Sequence, residues 1–272
     1  MKNGTKPINY LEEISENLWE DISKDENLSE NFIEKYRNKV DWYKISCYQK
    51  LSEQFIEKYR NKVDWDSVSA YQTLSESFIE KYKDVLDWRE ISEHQKLPEP
   101  FIEKYKDYID WSEISWHQEN LSESFIEKYK DDINWYGISM QQKLSENFIE
   151  KYKDQIDWSV VFETQKLSES FIEKHKDKID WRSISWRQKL SEQFIEKYKD
   201  KVDWWSISAW QLLSESFIIK MKKYINFDNI DTKRLTPNVI NNCYGYLKYI
   251  SKRKLKNKSI LPEVRLYYMI NF

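Results

Sequence analysis

A phrase of the form Leu-Ser-Glu-x-Phe-Ile-Glu-Lys-Tyr, followed by Asp-Trp-x-x-Ile-Ser-x-x-Gln, returns along this chain almost unchanged. It opens at Leu28, Leu51, Leu74, Leu97, Leu121, Leu144, Leu167, Leu190 and Leu213, a step of 23 residues each time except for 24 between Leu97 and Leu121, where Glu119-Asn120 lengthens the connection. A fixed period of this size marks a supersecondary unit that cannot bury its apolar face alone and stacks on copies of itself. The repetition also separates positions that never change from those that do.

With the leucine as position 1, position 2 is serine in nearly every unit, an N-cap whose hydroxyl accepts from a free N–H of the first turn. Glutamate at position 3 suits the positive end of the helix dipole. The unit at Leu97 reads Leu97-Pro98-Glu99-Pro100-Phe101. Proline is tolerated at a helix start and not in its interior, so a helix begins here. Phe at 5, Ile at 6 and Tyr at 9 share one side of it, with Glu and Lys on the other. Asp at 14, replaced by Asn134 and Asn226 in two units, predicts a second N-cap. The helix after it carries Trp 15, Ile 18, Ser 19 and Gln 22 on one stripe. Helices of about two to three turns are marginal alone, so stacking must supply burial, about 1.5–3 kcal/mol for each large apolar side chain placed between units. Ser 19 is expected to allow close helix approach, and Gln 22 to satisfy backbone groups of the next repeat.

The expected architecture is all-α: an α-solenoid of about nine 23-residue two-helix repeats, wound as a right-handed superhelix, with a C-terminal helical cap. Residues 1–27 are expected to form an N-terminal cap and a degenerate half repeat, in which Trp19, Ile22 and Ser23 match positions 15, 18 and 19. The array runs over 28–230, and 231–272 forms a basic cap. That last segment holds nine Lys and Arg against Asp231 and Glu263, a charge of +7 that leaves −10 for the rest of a chain whose net charge is −3. The repeats are therefore no generic polyanion-binding surface, whereas the tail could be one. No apolar run approaches a membrane span, and the first residues lack the apolar stretch of a signal peptide. Cys47 and Cys243 are too few for a disulfide framework. A reducing cytoplasm is the expected location, the host cytoplasm if the chain is viral.

Thirteen tryptophans occur, and nine of them, Trp19 included, hold position 15. The other four, Trp116, Trp186, Trp205 and Trp210, all fall on positions 16, 20 and 21 of the second helix, which vary freely together with position 17. Tyr43, Tyr48, Tyr71, Arg89, His94, His117, Tyr136, Met140, Arg182 and Arg187 fall there too. A solvated face should carry Lys, Glu, Gln and Ala, whereas Trp, Tyr, Met and Arg are the residues that dominate binding interfaces. The same side chains would also serve as core if this face packed against a neighbouring helix or lined a tight superhelix. The aromatic enrichment favours recognition, with the densest group at Arg182, Trp186, Arg187, Trp205 and Trp210. His94 and His117 hold the same position in adjacent units. Stacked helices lie about 8–10 Å apart, so a shared ion would depend on convergent rotamers and further ligands that the sequence does not offer, and neither a metal nor another cofactor is expected.

The stretch 28–230, through Leu-Ser-Glu-x-Phe-Ile and Asp-Trp-x-x-Ile-Ser-x-x-Gln, resembles short Trp/Phe repeats that recur in uncharacterised proteins of giant viruses, phages and low-GC bacteria. That resemblance is specific as a repeat type and implies no activity. The helix-pair logic is also similar to tetratricopeptide and pentatricopeptide arrays, but their longer period and signature residues are absent, so a base-per-repeat code does not carry over. The leading expectation is a non-catalytic scaffold that captures a protein partner on the variable second-helix face, as a viral or phage inhibitor of a host factor would. One alternative is nucleic-acid binding through stacked aromatics and the basic run Lys252, Arg253, Lys254, Lys256 and Lys258. Another is sequestration of a small nucleotide near Arg182 and Arg187. No Gly-rich phosphate loop, nucleophile elbow or metal-ligand spacing points to an enzyme.

Overall fold

The structure is a computed structural model that describes residues 16–24 and 28–247. All regular structure among the described residues is helical. The chain divides into two compact units between Gln142 and Lys143, and the same helix pair builds both.

The repeat at Leu51 shows how the pair forms. Ser52 is extended, at φ −72° and ψ 151°, and its Oγ accepts from the Phe55 N–H at 3.2 Å. The helix Glu53–Lys58 follows, six residues long, and ends at Tyr59. Asp64 then caps the seven-residue helix Trp65–Tyr71, its carboxylate accepting from the Ser67 N–H at 2.9 Å. At 3.6 residues per turn both helices fall just short of two turns, shorter than the sequence pattern suggests, because a tight turn absorbs the residues between them. Pro98 takes the capping place with the same backbone, φ −72° and ψ 150°, but offers no side-chain bond.

Ile 6 and the apolar residue at position 18 are fully buried through both units, and Phe 5 nearly so from Phe55 onward. Trp19 is buried, while the other position-15 tryptophans are half-buried. Trp42 shows why. Its ring lies on Phe55 (6.3 Å between centroids) and Tyr59 (4.9 Å) of the next repeat. Its Nε1–H turns back to the Arg37 carbonyl at 2.9 Å, and the Lys62 ammonium sits 5.7 Å from the ring centroid. The indole lies between layers, but at their rim, where its polar N–H finds a partner and a lysine covers its outer side.

The constant polar residues hold the layers together. Ser46 Oγ donates to the Trp42 carbonyl at 2.7 Å and accepts from the Asp64 N–H of the next repeat at 3.0 Å. Gln72 is buried and satisfies three backbone groups. Its Oε1 accepts from Leu51 N–H at 3.0 Å, and its Nε2 donates to the Ser46 and Gln49 carbonyls of the preceding repeat at 2.8 and 2.7 Å. Gln95, Gln118, Gln188 and Gln211 repeat this arrangement. The glutamine thus reaches back to the preceding repeat and to its own leucine, not forward to the next repeat as the sequence suggests. Glu 3 does more than meet the helix dipole: Glu53 accepts from the Ser75 N–H of the next repeat at 2.6 Å. One constant position is broken. Phe162 stands at position 19 of the repeat at Leu144, fully buried, with its ring 5.5 Å from Trp158.

On the first-helix side, Lys 8 of one repeat pairs with Glu 7 of the one before. Lys58–Glu34 and Lys81–Glu57 lie at 2.5 Å, Lys104–Glu80 at 2.7 Å and Lys174–Glu150 at 3.0 Å. The lysine beside each holds the Glu34, Glu57, Glu80, Glu150 and Glu173 carboxyls below the ordinary carboxylate value.

At the ends, the helix Glu16–Ser23 packs on Trp42–Tyr48 as a second helix would, and Ser23 Oγ accepts from Asp41 N–H at 2.9 Å. After Glu215–Lys220 come a 3₁₀ turn at Thr232–Arg234 and the helix Pro237–Leu247, which packs on Glu215–Lys220 and buries Val239, Ile240 and Cys243. The expected C-terminal cap is helical over this described part.

Candidate functional site

Within each unit the second helices pack directly on one another. The repeat translation then sets position 20 of one helix against position 17 of the next, as in the contact of Cys47 Sγ with Ser67 Oγ at 3.2 Å. Two of the four variable positions are therefore not free faces. Position 17 is buried at Ser67, Gly137, Val160 and Ser206, and a Cβ on Gly137 would meet the Ser115 carbonyl oxygen at 3.1 Å. Position 20 is half-buried at Cys47, Ala70, Glu93, Trp116, Met140 and Ala209. Positions 16 and 21 form the open edge, joined by position 20 where it is exposed, at Glu163 and Trp186.

Tyr43, Tyr48, Tyr71, Tyr136, Arg89, His94, His117, Arg182, Trp186, Arg187, Trp205 and Trp210 are all exposed along that edge. In the unit ending at Gln142, Tyr71 stacks with His94 at 6.4 Å, and the Cys47 thiol beside Tyr43 pushes its phenol up. Trp116 leans on Tyr136, with centroids 5.4 Å apart. Trp116 belongs as much to the packing between helices as to the surface, because it meets Tyr136 of the next helix.

In the unit starting at Lys143, the aromatic group is assembled. The Arg187 guanidinium lies 3.8 Å from the Trp186 ring centroid and donates to Glu163 Oε1 at 3.0 Å. Trp210 stands 6.4 Å from Trp186. Trp205 and Trp210 remain 52% and 58% exposed, and the neighbouring Leu212 76%. Arg187 is committed to its neighbours rather than open to a nucleotide phosphate, and Arg182 is exposed without joining the stacked group.

Around the two histidines the structure brings together residues that composition and spacing did not single out. Glu90 and Glu93 on Trp88–His94 and Glu113 on Trp111–His117 surround them. His94 Nε2 lies 3.3 Å from Glu90 and 3.7 Å from Glu93, and His117 Nε2 lies 3.4 Å from Glu113. The signal was present as Glu-x-x-x-His at 90/94 and again at 113/117. It becomes readable only once position 20 is known to face position 17 of the next helix.

The basic residues Lys252, Arg253, Lys254, Lys256 and Lys258 lie outside the described residues. No helix among the described residues is long and apolar enough to cross a membrane. No protein family, curated protein or solved structure matches the chain.

Proposed function

We propose that this chain is a non-catalytic scaffold that captures a protein partner on the open edge of its second helices. The observation that carries this reading is the group Trp186, Arg187, Trp205 and Trp210. Its indoles stay exposed although every fixed apolar position of the repeat is at least half buried. A surface that needs only solubility would carry charged residues there, as the first helices do. Trp, Tyr and Arg supply most of the energy at protein interfaces, and the Trp186–Arg187–Glu163 contacts hold that surface in one arrangement before a partner arrives, which lowers the ordering cost of binding.

The fixed carboxylates cap helices or pair with lysines, and the fixed glutamines and serines are consumed by backbone groups. The resemblance to repeats of giant viruses and phages motivates reading the partner as a cytoplasmic host factor and the outcome as inhibition.

The test is affinity capture from the native host with the full chain and with a Trp186→Ala/Trp205→Ala/Trp210→Ala variant, across a salt series. A protein retained by the wild-type chain and lost from the variant is the expected result. Retention of the same partner by the variant overturns the proposal. Protein capture through aromatic contacts is expected to depend weakly on salt, whereas a steep loss of affinity with salt identifies phosphate contacts and a nucleic acid instead.

A further inference from the structure

We propose that the segment captured by the aromatic group is acidic as well as apolar: a linear stretch of the partner protein whose large apolar side chains cover Trp186, Trp205, Trp210 and Leu212, and whose carboxylates meet the cations around them. The proposal rests on the reading of that group as a protein-binding surface and adds the chemistry of what it binds.

The apolar part extends beyond the tryptophans. Position 23 is Lys, Thr or Glu in every earlier repeat and becomes Leu212 in the repeat that carries Trp205 and Trp210. Leu212 is 76% exposed, so the change serves no packing within the chain. A leucine left in water beside three exposed tryptophans enlarges a patch that a partner can cover.

The charge changes at the same place. Across positions 16, 17, 20, 21 and 23, the repeats from Leu28 to Leu121 carry five cations and five carboxylates. Those from Leu144 to Leu213 carry Lys166, Arg182, Arg187, Lys189 and Lys233 against only Glu163 and Asp228. Glu163 already pairs with Arg187, while Lys166, Arg182, Lys189 and Lys233 are exposed. Lys233 belongs to this edge although the period fades there. Arg234, in the glutamine's place, donates to the Gln211 carbonyl as Gln211 Nε2 donates to that of Gln188. Lys233 therefore follows Trp210 at position 21, as Arg187 precedes it. Residues 1–230 carry −10 in all, so the excess of cations around the tryptophans is a local feature of an acidic array. Cations that rim an apolar patch steer and orient carboxylates on a partner.

A nucleic acid fits this surface less well. Bases stack on open aromatic faces, but the Arg187 guanidinium covers Trp186 at 3.8 Å, and the Trp186 and Trp210 planes are 49° apart. Leu212 offers no stacking face. A continuous phosphate backbone also meets the repulsive field of the acidic array, which a short segment with a few carboxylates feels far less.

The experiment selects linear peptides from a displayed random library on the full chain, with Trp186→Ala/Trp205→Ala/Trp210→Ala as counter-selection, and follows a selected peptide by surface plasmon resonance. Peptides rich in Asp and Glu together with Leu, Phe or Trp are expected. Arg182→Glu/Lys189→Glu/Lys233→Glu should slow association at low salt by about tenfold or more. Leu212→Thr, which installs the residue that the repeat at Leu51 has in that place, should speed dissociation several-fold. All these side chains are exposed, and circular dichroism confirms that each variant is folded. Added salt should slow association moderately, short of the steep loss that a phosphate backbone gives. Selected peptides without an acidic excess, or association untouched by the charge reversal, overturn the acidic partner and leave the aromatic surface standing. Tight binding of oligo(dT) that the charge reversal removes overturns it in favour of a nucleic acid. Selection of no peptide that depends on the tryptophans overturns a linear acidic segment, while capture from the native host tests the surface separately.

Discussion

The same positions of the same repeat carry Arg89, Glu90, Glu93, His94, Glu113 and His117 in one half of the chain, and Glu163, Trp186, Arg187, Trp205 and Trp210 in the other. Around the two histidines the variable positions are charged; around Trp186 they are aromatic. Beneath both, the buried bonds are alike: Gln118 and Gln188 each accept from a leucine N–H and donate to two carbonyls of the preceding repeat, at 2.6–3.1 Å. The frame is joined through bonds to backbone atoms, which every residue possesses. The exposed positions are therefore released from structural duty, and their chemistry can change from one layer to the next without altering the stack.

The strongest way to break this comparison is to remove a frame glutamine. Gln118→Ala strands Leu97 N–H and the Ser92 and Gln95 carbonyls in the interior. At about 1–3 kcal/mol for each unsatisfied buried group, a loss of about 3 kcal/mol or more is expected in urea unfolding. A loss under about 1 kcal/mol would mean that water replaces the amide freely.

A finer contrast lies on a single helix. Ser115 Oγ accepts from the Asn134 N–H of the next repeat at 2.9 Å, whereas Ser112 sits on the open edge. Ser115→Ala should cost about 1–2 kcal/mol, and Ser112→Ala less than about 0.5 kcal/mol. Equal costs would erase the distinction between frame and edge.

The smallest effect belongs to the first-helix side. Glu34, Glu57, Glu80, Glu150 and Glu173 are held below the ordinary carboxylate value of 4.5 by the lysines beside them. A depressed folded-state value contributes stability that is present above 4.5 and lost as pH falls through the lowered values. Lys58, Lys81, Lys104 and Lys197 are raised by the same pairs, so their contribution persists until pH rises through the raised values. The thermal midpoint should therefore be flat between these limits and decline in acid. Because the pairs are exposed, added salt should shrink the acid decline. An acid decline of the same size in Lys81→Met/Lys104→Met as in the wild type would count against the rungs as its source.

Helix starts were legible because Ser 2 and Asp 14 act locally: a cap needs only its own next turn, and each described one caps as its residue type dictates. Ile 6, Ile 18 and Gln 22 were legible as interior positions because they recur. The edge was half legible. Helical periodicity placed positions 16, 17, 20 and 21 together, but it carries no information on which neighbour each one meets. Only the stacking of second helix on second helix shows that Gly137 is buried and that Trp116 is partly packing. The grouping of Glu90, Glu93 and His94 with Glu113 and His117 is hidden for the same reason, since it spans two repeats and none of its members is constant. Phe162, a large residue in a serine position, shows that even a fixed place can be refilled when the surrounding layer accommodates it.

The separation of frame from edge shows most directly in their relative cost within one unit. Urea unfolding of Trp205→Ala/Trp210→Ala should fall within about 1 kcal/mol of the wild type, since surface substitutions rarely exceed about 0.5 kcal/mol each. Gln188→Ala should lose about 3 kcal/mol or more. The reverse order, with the exposed indoles costing more than the buried amide, would contradict the separation of frame from edge and make those tryptophans part of the core.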